Sequence, residues 1–380
     1  MSSGNKLKNR NEGDFLIVVL SLALSLFGLI MIFSASYYQA ISKYGDPYYF
    51  LKDDLVWKIL GWILFVAAAN IDYRYWKILA VPALAAGVIL LALIKVPGLG
   101  VTLNNATRWL NIFGLFTIMP GEVIKPCIIL FFAWFLSEDP DRIKDLRMGI
   151  APCMGILGVC FGLIMMQPNL STAGIVLMLG IGMMFVAGLR WIYLLGAIVL
   201  GVVGFVLIVL SPKGAYMLTR VKTILDPFLV AQTSGYQVVQ GLLALGSGGV
   251  FGVGIGRSVQ KSLYLPEPQN DYILAIIGEE LGYVGVLVLM LVYAALIWRC
   301  FKTALGCRDL YGTLLASGIT IHMALQVVLN IAVVSATFFP TGVTLPLVSQ
   351  GGNATILMLF ELGVVLNISK HNTDGGQDRD

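Results

Sequence analysis

The chain has 380 residues, 58% of them hydrophobic and 12% charged, with a formal net charge of +4. Soluble domains run at about 45–50% apolar and about 25% charged, so an ordinary soluble fold is excluded; one membrane bundle fits, with length for ten spans of roughly 20 residues. Basic residues scattered between apolar runs give no nucleic-acid footprint, and five cysteines without a CxxC, beside only two histidines, argue against a zinc site or a disulfide framework.

The first apolar run, Phe15 to Phe33, is too long for a signal peptide and lacks a small-residue cleavage site, so it reads as a span. Ten spans are predicted, at 15–38, 55–70, 75–96, 121–136, 150–166, 170–188, 190–210, 272–298, 311–335 and 343–368. Lys6, Lys8, Arg10, Arg74, Lys77, Arg142, Lys144, Arg147, Arg190, Arg299, Lys302, Arg308 and Lys370 all fall on one side. The positive-inside rule makes that side cytoplasmic. The expected architecture is an all-α membrane protein of about ten transmembrane helices with both termini cytoplasmic. It comprises a segment 1–14, a membrane domain 15–370 and a disordered polar tail 371–380. A large extracytoplasmic loop, 212–270, lies between the seventh and eighth spans. It carries Lys213, Arg220, Lys222, Arg257 and Lys261 on the side where basic residues are scarce, and an anionic ligand is one reason for that. No internal repeat is visible, which counts against a transporter built from inverted repeats.

Polar residues with chemical potential follow in chain order. Arg108-Trp109 precedes Pro120-Gly121-Glu122-Val123-Ile124-Lys125. Glu122 and Lys125 stand at i, i+3, where they can neutralise each other on one helix face, or join Arg108 in an anion site, since a guanidinium fork suits phosphate oxygens. Gln167-Pro168-Asn169 and Pro340-Thr341-Gly342 through Asn353 interrupt helices on the same side; polar backbone at that depth must face protein or a wet cavity. Within the large loop, 236–245 is expected as a short interfacial helix. The glycine-rich run 246–256 permits either close backbone approach to a ligand or a re-entrant turn. No βαβ pattern surrounds it, so it is not a dinucleotide fingerprint.

Asp271 sits where the loop enters the eighth span. It can be a helix N-cap, accepting orphan backbone N–H groups, or a carboxylate held at the membrane surface for general-base work. The first role lowers its pKa and the second needs it raised by desolvation. Glu279 and Glu280 follow eight and nine residues on. At 3.6 residues per turn they lie about 80° and about 180° around the helix from Asp271. Carboxylates in a span usually mark a pathway or a buried pair, and pairing with another helix is the reading taken for these two.

Together these motifs resemble the SEDS family (shape, elongation, division and sporulation), integral-membrane glycosyltransferases that polymerise peptidoglycan. The likeness runs over 15–368. It is carried by Arg108-Trp109 with Pro120 to Lys125, by Ala244 to Gly249, by Tyr264-Leu265-Pro266-Glu267 with Asp271-Tyr272-Ile273, and by Ala275 to Gly282. Gln260-Lys261, Tyr264 to Pro268 and the Gly278 before Glu279-Glu280 are similar to the division and sporulation branch. The resemblance implies that Asp271 is the catalytic base and that lipid II, a disaccharide-pentapeptide on undecaprenyl pyrophosphate, is the substrate. It implies a bacterial cytoplasmic membrane, and partners in a class B penicillin-binding protein and other division or elongation machinery. Arg108, Glu122, Lys125, Arg220, Lys222, Arg257 and Lys261 are then the candidates for binding lipid II and its pyrophosphate. No protein metal site is expected, though a divalent cation, magnesium or manganese, could accompany the pyrophosphate. Three positions depart from the family pattern: Asn169 where Asp is usual, Gly121 where Ser is usual, and Gln350 where Tyr is usual. A lipid II flippase and a non-catalytic scaffold of the division machinery are the rival functions.

Overall fold

A computed structural model describes residues 13–96, 98–103, 106–112, 116–210, 220, 223 and 225–373. Each predicted span is met by a helix: α1 (Phe15–Tyr44), α2 (Tyr49–Asn70), α3 (Trp76–Leu93), α4 (Pro120–Ser137), α5 (Ala151–Met165), α6 (Leu170–Val186), α7 (Trp191–Leu210), α9 (Ile273–Gly306), α10 (Leu310–Val334) and α11 (Gly352–Thr373). The expected short loop helix forms as α8 (Tyr236–Ser247). Among the described residues seven helices are long and apolar enough to cross a bilayer by length and composition alone, and the chain is a multi-pass membrane protein.

The helices end where local chemistry dictates. Asp14 caps α1, its carboxylate accepting from Leu16 N, and Gly45 ends that helix in the left-handed region at φ 69°. Asp309 caps α10 in the same way. Asn169, one of the departures from the family pattern, caps α6 by accepting from Thr172 N. Gly121, another, packs so that a Cβ there would lie 3.0 Å from the Thr172 side chain. At the end of the bundle holding both termini, Arg299 of α9 reaches Asp14 at 2.6 Å, and Asn372 of α11 donates to Thr303 O.

Helices α4, α10 and α11 form the centre: 72% of the apolar window of α4 is buried against 17% for the span containing α3. Helix α2 carries four charged residues, Lys52, Asp53, Asp54 and Lys58, and still packs closely on α11. Asp54 and Lys58 resolve the conflict with a buried ion pair of 2.6 Å one helical turn apart.

Four features depart from the expected elements. The connection between α3 and α4 holds a three-stranded antiparallel sheet, β1 (Gly100–Leu103), β2 (Ala106–Ile112) and β3 (Phe116–Ile118), in the order β1-β2-β3. The tenth span does not begin at 343: residues 343–351 are non-helical, and α11 starts only at Gly352. Helix α9 runs to Gly306, and it is broken at Gly282, where φ is 70° and ψ −171°. Finally, the glycine run closes onto that break. Tyr283 N and Val284 N donate to Gly249 O and Val250 O, while Val253 N and Gly254 N donate to Glu279 O and Glu280 O. The loop thus supplies the partners that the broken helix lacks. A Cβ at Gly252 would overlap the Glu280 carbonyl, so the approach requires glycine there.

Candidate active site

Asp271 is not a helix cap. Helix α9 begins two residues later, Tyr272 occupies the N-cap position, and no side chain caps the end. The Asp271 carboxylate instead faces a cavity of about 330 Å³ lined by Arg108, Arg220, Thr223, Ser234, Gln237, Pro340, Thr341 and Gly342. Arg108 comes from β2, Gln237 from α8, and Pro340-Thr341-Gly342 from the irregular stretch after α10. Four separate parts of the sequence therefore meet at one carboxylate.

Hydrogen bonds to backbone fix the walls. Arg108 Nη2 donates to Pro168 O at 2.7 Å and Arg220 Nη1 to Pro340 O at 2.9 Å. Gln237 Nε2 donates to Pro266 O at 3.3 Å, and the Thr223 and Ser234 hydroxyls bond at 2.9 Å. Asn330, fully buried on α10, donates its amide to Asp271 O at 2.9 Å and to Val343 O at 2.7 Å, tying the approach to α9 to the opposite wall. Gln350 N adds a second tie, to Gln269 O at 2.9 Å. Gly342 leaves room beside this carboxylate: a Cβ there would sit 3.2 Å from Asp271 Oδ2.

The electrostatics follow from this packing. Burial pushes the Asp271 carboxyl up to about 7; the Glu267 charge pushes the same way and Arg108 opposes both. A carboxylate with its pKa near neutrality, beside two guanidiniums, is equipped to take a proton while the arginines hold an anion. The donor set is one carboxylate and two cations, which does not fit a protein-held magnesium or manganese ion, and among the described residues no group of three or more His, Cys, Asp or Glu is placed to hold a metal.

The other site candidates lie elsewhere. Lys125 is buried and donates to both Glu122 oxygens, at 2.7 and 2.8 Å; neither residue lines the cavity. Arg257 is exposed and also off the cavity. Lys213 and Lys222 lie outside the described residues. Lys261 is removed from the anion-binding set: it is buried, pairs with Glu280 at 2.7 Å, and donates to Ser34 of α1 at 2.9 Å. Ser34 also donates to Glu280, so that carboxylate joins α1, α9 and the loop. Glu279 accepts from Ser258 Oγ at 2.5 Å and Val259 N at 2.9 Å. The two glutamates thus anchor the loop, and only Glu280 reaches another helix, α1. Sequence reasoning missed Thr223, Ser234 and Gln237 as wall residues, and read Pro340-Thr341-Gly342 as a helix interruption facing protein or a wet cavity without tying it to Asp271.

A second cavity of about 950 Å³ opens between α6, α7 and α10. Leu170, Ile181, Phe185, Leu194, Leu325 and Phe338 are among its lining side chains, and its wall is almost wholly apolar.

The chain matches the FTSW_RODA_SPOVE family, described as "Cell cycle protein", over residues 14–374. It is 40% identical over 363 residues to "Stage V sporulation protein E" of Bacillus subtilis (strain 168), covering 96% of this chain and 98% of that protein. It is 37% identical over 359 residues to "Probable peptidoglycan glycosyltransferase FtsW" of Trichlorobacter lovleyi, covering 94% and 93%. Among solved structures it resembles a chain of the structure titled "Structural coordination of polymerization and crosslinking by a peptidoglycan synthase complex", with a TM-score of 0.76 and 28% identity over 95% of this chain and 98% of that one. It also resembles the rod shape determining protein RodA of Thermus thermophilus, at a TM-score of 0.67 and 29% identity over 96% and 98%.

Proposed function

We propose that this chain, which belongs to the FtsW/RodA/SpoVE cell cycle protein family, is a peptidoglycan glycosyltransferase whose reaction runs in the polar cavity at Asp271. The single observation that carries the assignment is a half-buried carboxylate, its pKa raised to about 7, that shares a cavity with Arg108 and Arg220. The substrate is lipid II and its polymerised, lipid-linked products, which combine a sugar, a pyrophosphate and a long polyprenyl chain. The two neighbouring cavities, one polar and one apolar, suit those unlike parts.

In the reaction, Asp271 accepts the proton of the acceptor sugar hydroxyl as that oxygen attacks the anomeric carbon of the donor. The bond from that carbon to the pyrophosphate breaks, and the electron pair leaves with undecaprenyl pyrophosphate. Arg108 and Arg220 hold the growing negative charge; their own bonds to backbone carbonyls position them before the substrate arrives. A single displacement with one base inverts the anomeric centre. The membrane unit, 15–370, lies in the cytoplasmic membrane of a bacterium with the Asp271 end outward, where a class B penicillin-binding protein crosslinks the strands.

The deep carboxylates argue against a flippase. Glu280 is paired with Lys261, Glu361 lies 2.8 Å from His322, and Glu279 is bonded to the loop. These are anchored groups, not a free path through the membrane. The deciding experiment is polymerisation of lipid II by the purified protein with its transpeptidase, run with and without a chelator. Asp271→Asn should abolish glycan synthesis; full activity in that variant overturns the assignment.

A further inference from the structure

The polar cavity and the apolar groove have one lining residue in common, Thr341. Thr341 is 7% exposed, and its hydroxyl has no hydrogen-bond partner among the described residues. A buried hydroxyl without a partner carries a desolvation penalty that a ligand oxygen would offset. Its neighbours are already committed: the Pro340 carbonyl accepts from Arg220, and Gly342 lies beside the Asp271 carboxylate. The hydroxyl stands where apolar wall gives way to charged wall.

We propose that Thr341 donates its hydroxyl hydrogen to the pyrophosphate of the glycosyl donor, at the point where the polyprenyl chain passes into the groove between α6, α7 and α10. The inference rests on the reading of the Asp271 cavity as the reaction centre and adds to it the identity of the bound substrate. Asp271 takes a proton from the attacking hydroxyl, so it must lie close to the donor's anomeric carbon. In the donor that carbon is bonded directly to the pyrophosphate. In the acceptor the pyrophosphate is at the far end of the disaccharide from the attacking hydroxyl. Phosphates that share a small cavity with the base therefore belong to the donor, and the groove that continues from Thr341 holds the donor's lipid. The order along the ligand, chain then phosphates then anomeric carbon, matches the order groove, Thr341, Asp271. As the carbon–oxygen bond to pyrophosphate breaks, the leaving oxygens gain charge, and hydrogen bonds from Thr341 and the arginines strengthen with it.

The test is binding of a short-chain polyprenyl pyrophosphate, and of the corresponding polyprenyl alcohol, to the full-length protein in detergent. Wild type, Thr341→Val, Thr341→Ser and Asp271→Asn are compared. Valine keeps the shape and removes the hydroxyl. The expected result is pyrophosphate binding weakened about tenfold or more in Thr341→Val, near wild type in Thr341→Ser, and alcohol binding unchanged in both. Equal pyrophosphate binding by wild type and Thr341→Val overturns the proposal. So does an equal loss for pyrophosphate and alcohol, which would make Thr341 only a part of the groove wall. Asp271→Asn separates the two levels: active polymerisation in that variant refutes the reaction-centre reading, whereas its inactivity with normal pyrophosphate binding by Thr341→Val refutes the role of Thr341 alone.

Discussion

Replacing Asp271 by Asn should make the protein more stable while making it inactive, and the gain should depend on pH. The folded chain holds this carboxyl at about 7, against 3.8 for an ordinary aspartate. Folding therefore favours the protonated form. Below pH 4 the group is protonated in both folded and unfolded chains, and the wild type has no handicap. Between pH 4 and pH 7 the unfolded chain ionises freely while the folded chain resists, so wild-type stability falls as pH rises. Above pH 7 the handicap is constant. At 1.36 kcal/mol for each pH unit it reaches at most about 4 kcal/mol. Asparagine is neutral throughout and escapes it. Thermal unfolding of the two proteins in detergent, followed from pH 4 to pH 8, should show midpoints that coincide at the acid end and diverge toward neutrality, with the variant higher. The same property predicts that wild-type polymerisation rises with pH through about 7 as the base becomes available. A constant gap between the proteins across this range, or a lower midpoint for the variant at pH 8, would refute the raised pKa and with it the desolvated-base argument.

Three further outcomes follow from residues already described. Arg220→Gln should lower kcat/KM for lipid II polymerisation by about 10- to 100-fold, whereas Arg257→Gln should stay within about twofold, because only the first lines the Asp271 cavity; steady-state kinetics on the two variants check this. Lys261→Met should lower the thermal midpoint by the equivalent of about 3–5 kcal/mol, since it strands Glu280 in a buried site, and Lys261→Met combined with Glu280→Met should recover most of that loss. Gly252→Ala should destabilise the loop by about 2 kcal/mol or more, because φ is +78° and the added carbon meets the Glu280 carbonyl; limited proteolysis of 246–262 reads that loosening.

Much of the bundle was legible because apolar runs long enough for a bilayer leave few alternatives; the caps at Gly45, Asp309 and Asn169 emerge only with the structure. Asp271 stood out, but local physics alone leaned toward a cap. That reading ignored distance: the cap position is held by Tyr272, and the carboxylate's partners come from segments up to about 160 residues away, so no local pattern could have named them. The basic residues of the loop were read as one anion-binding set because sequence shows charge without direction. Packing divides them: Arg220 lines the cavity, Arg257 points to solvent, and Lys261 serves Glu280. The sheet β1–β3 and the break at Gly282 were missed for different reasons. Short strands in a connection have weak periodicity, and a single glycine inside an apolar helix gives no sign that another loop will take up its hydrogen bonds.

The break at Gly282 also bears on how the chain is made. Only the part of α9 after the break, Tyr283–Gly306, is free of carboxylates, and its 24 residues span roughly 36 Å at 1.5 Å each, enough for the hydrocarbon core. The insertion machinery thus has a clean segment to recognise, and Glu279 and Glu280 need not cross the lipid. The preceding turns can settle afterwards, once the glycine loop and Lys261 are present to receive them. Assembly would then proceed in two stages, with threading into the bilayer first and closure of the catalytic roof second. A variant defective in the second stage should still reach the membrane with every helix in its proper direction, and fail only there.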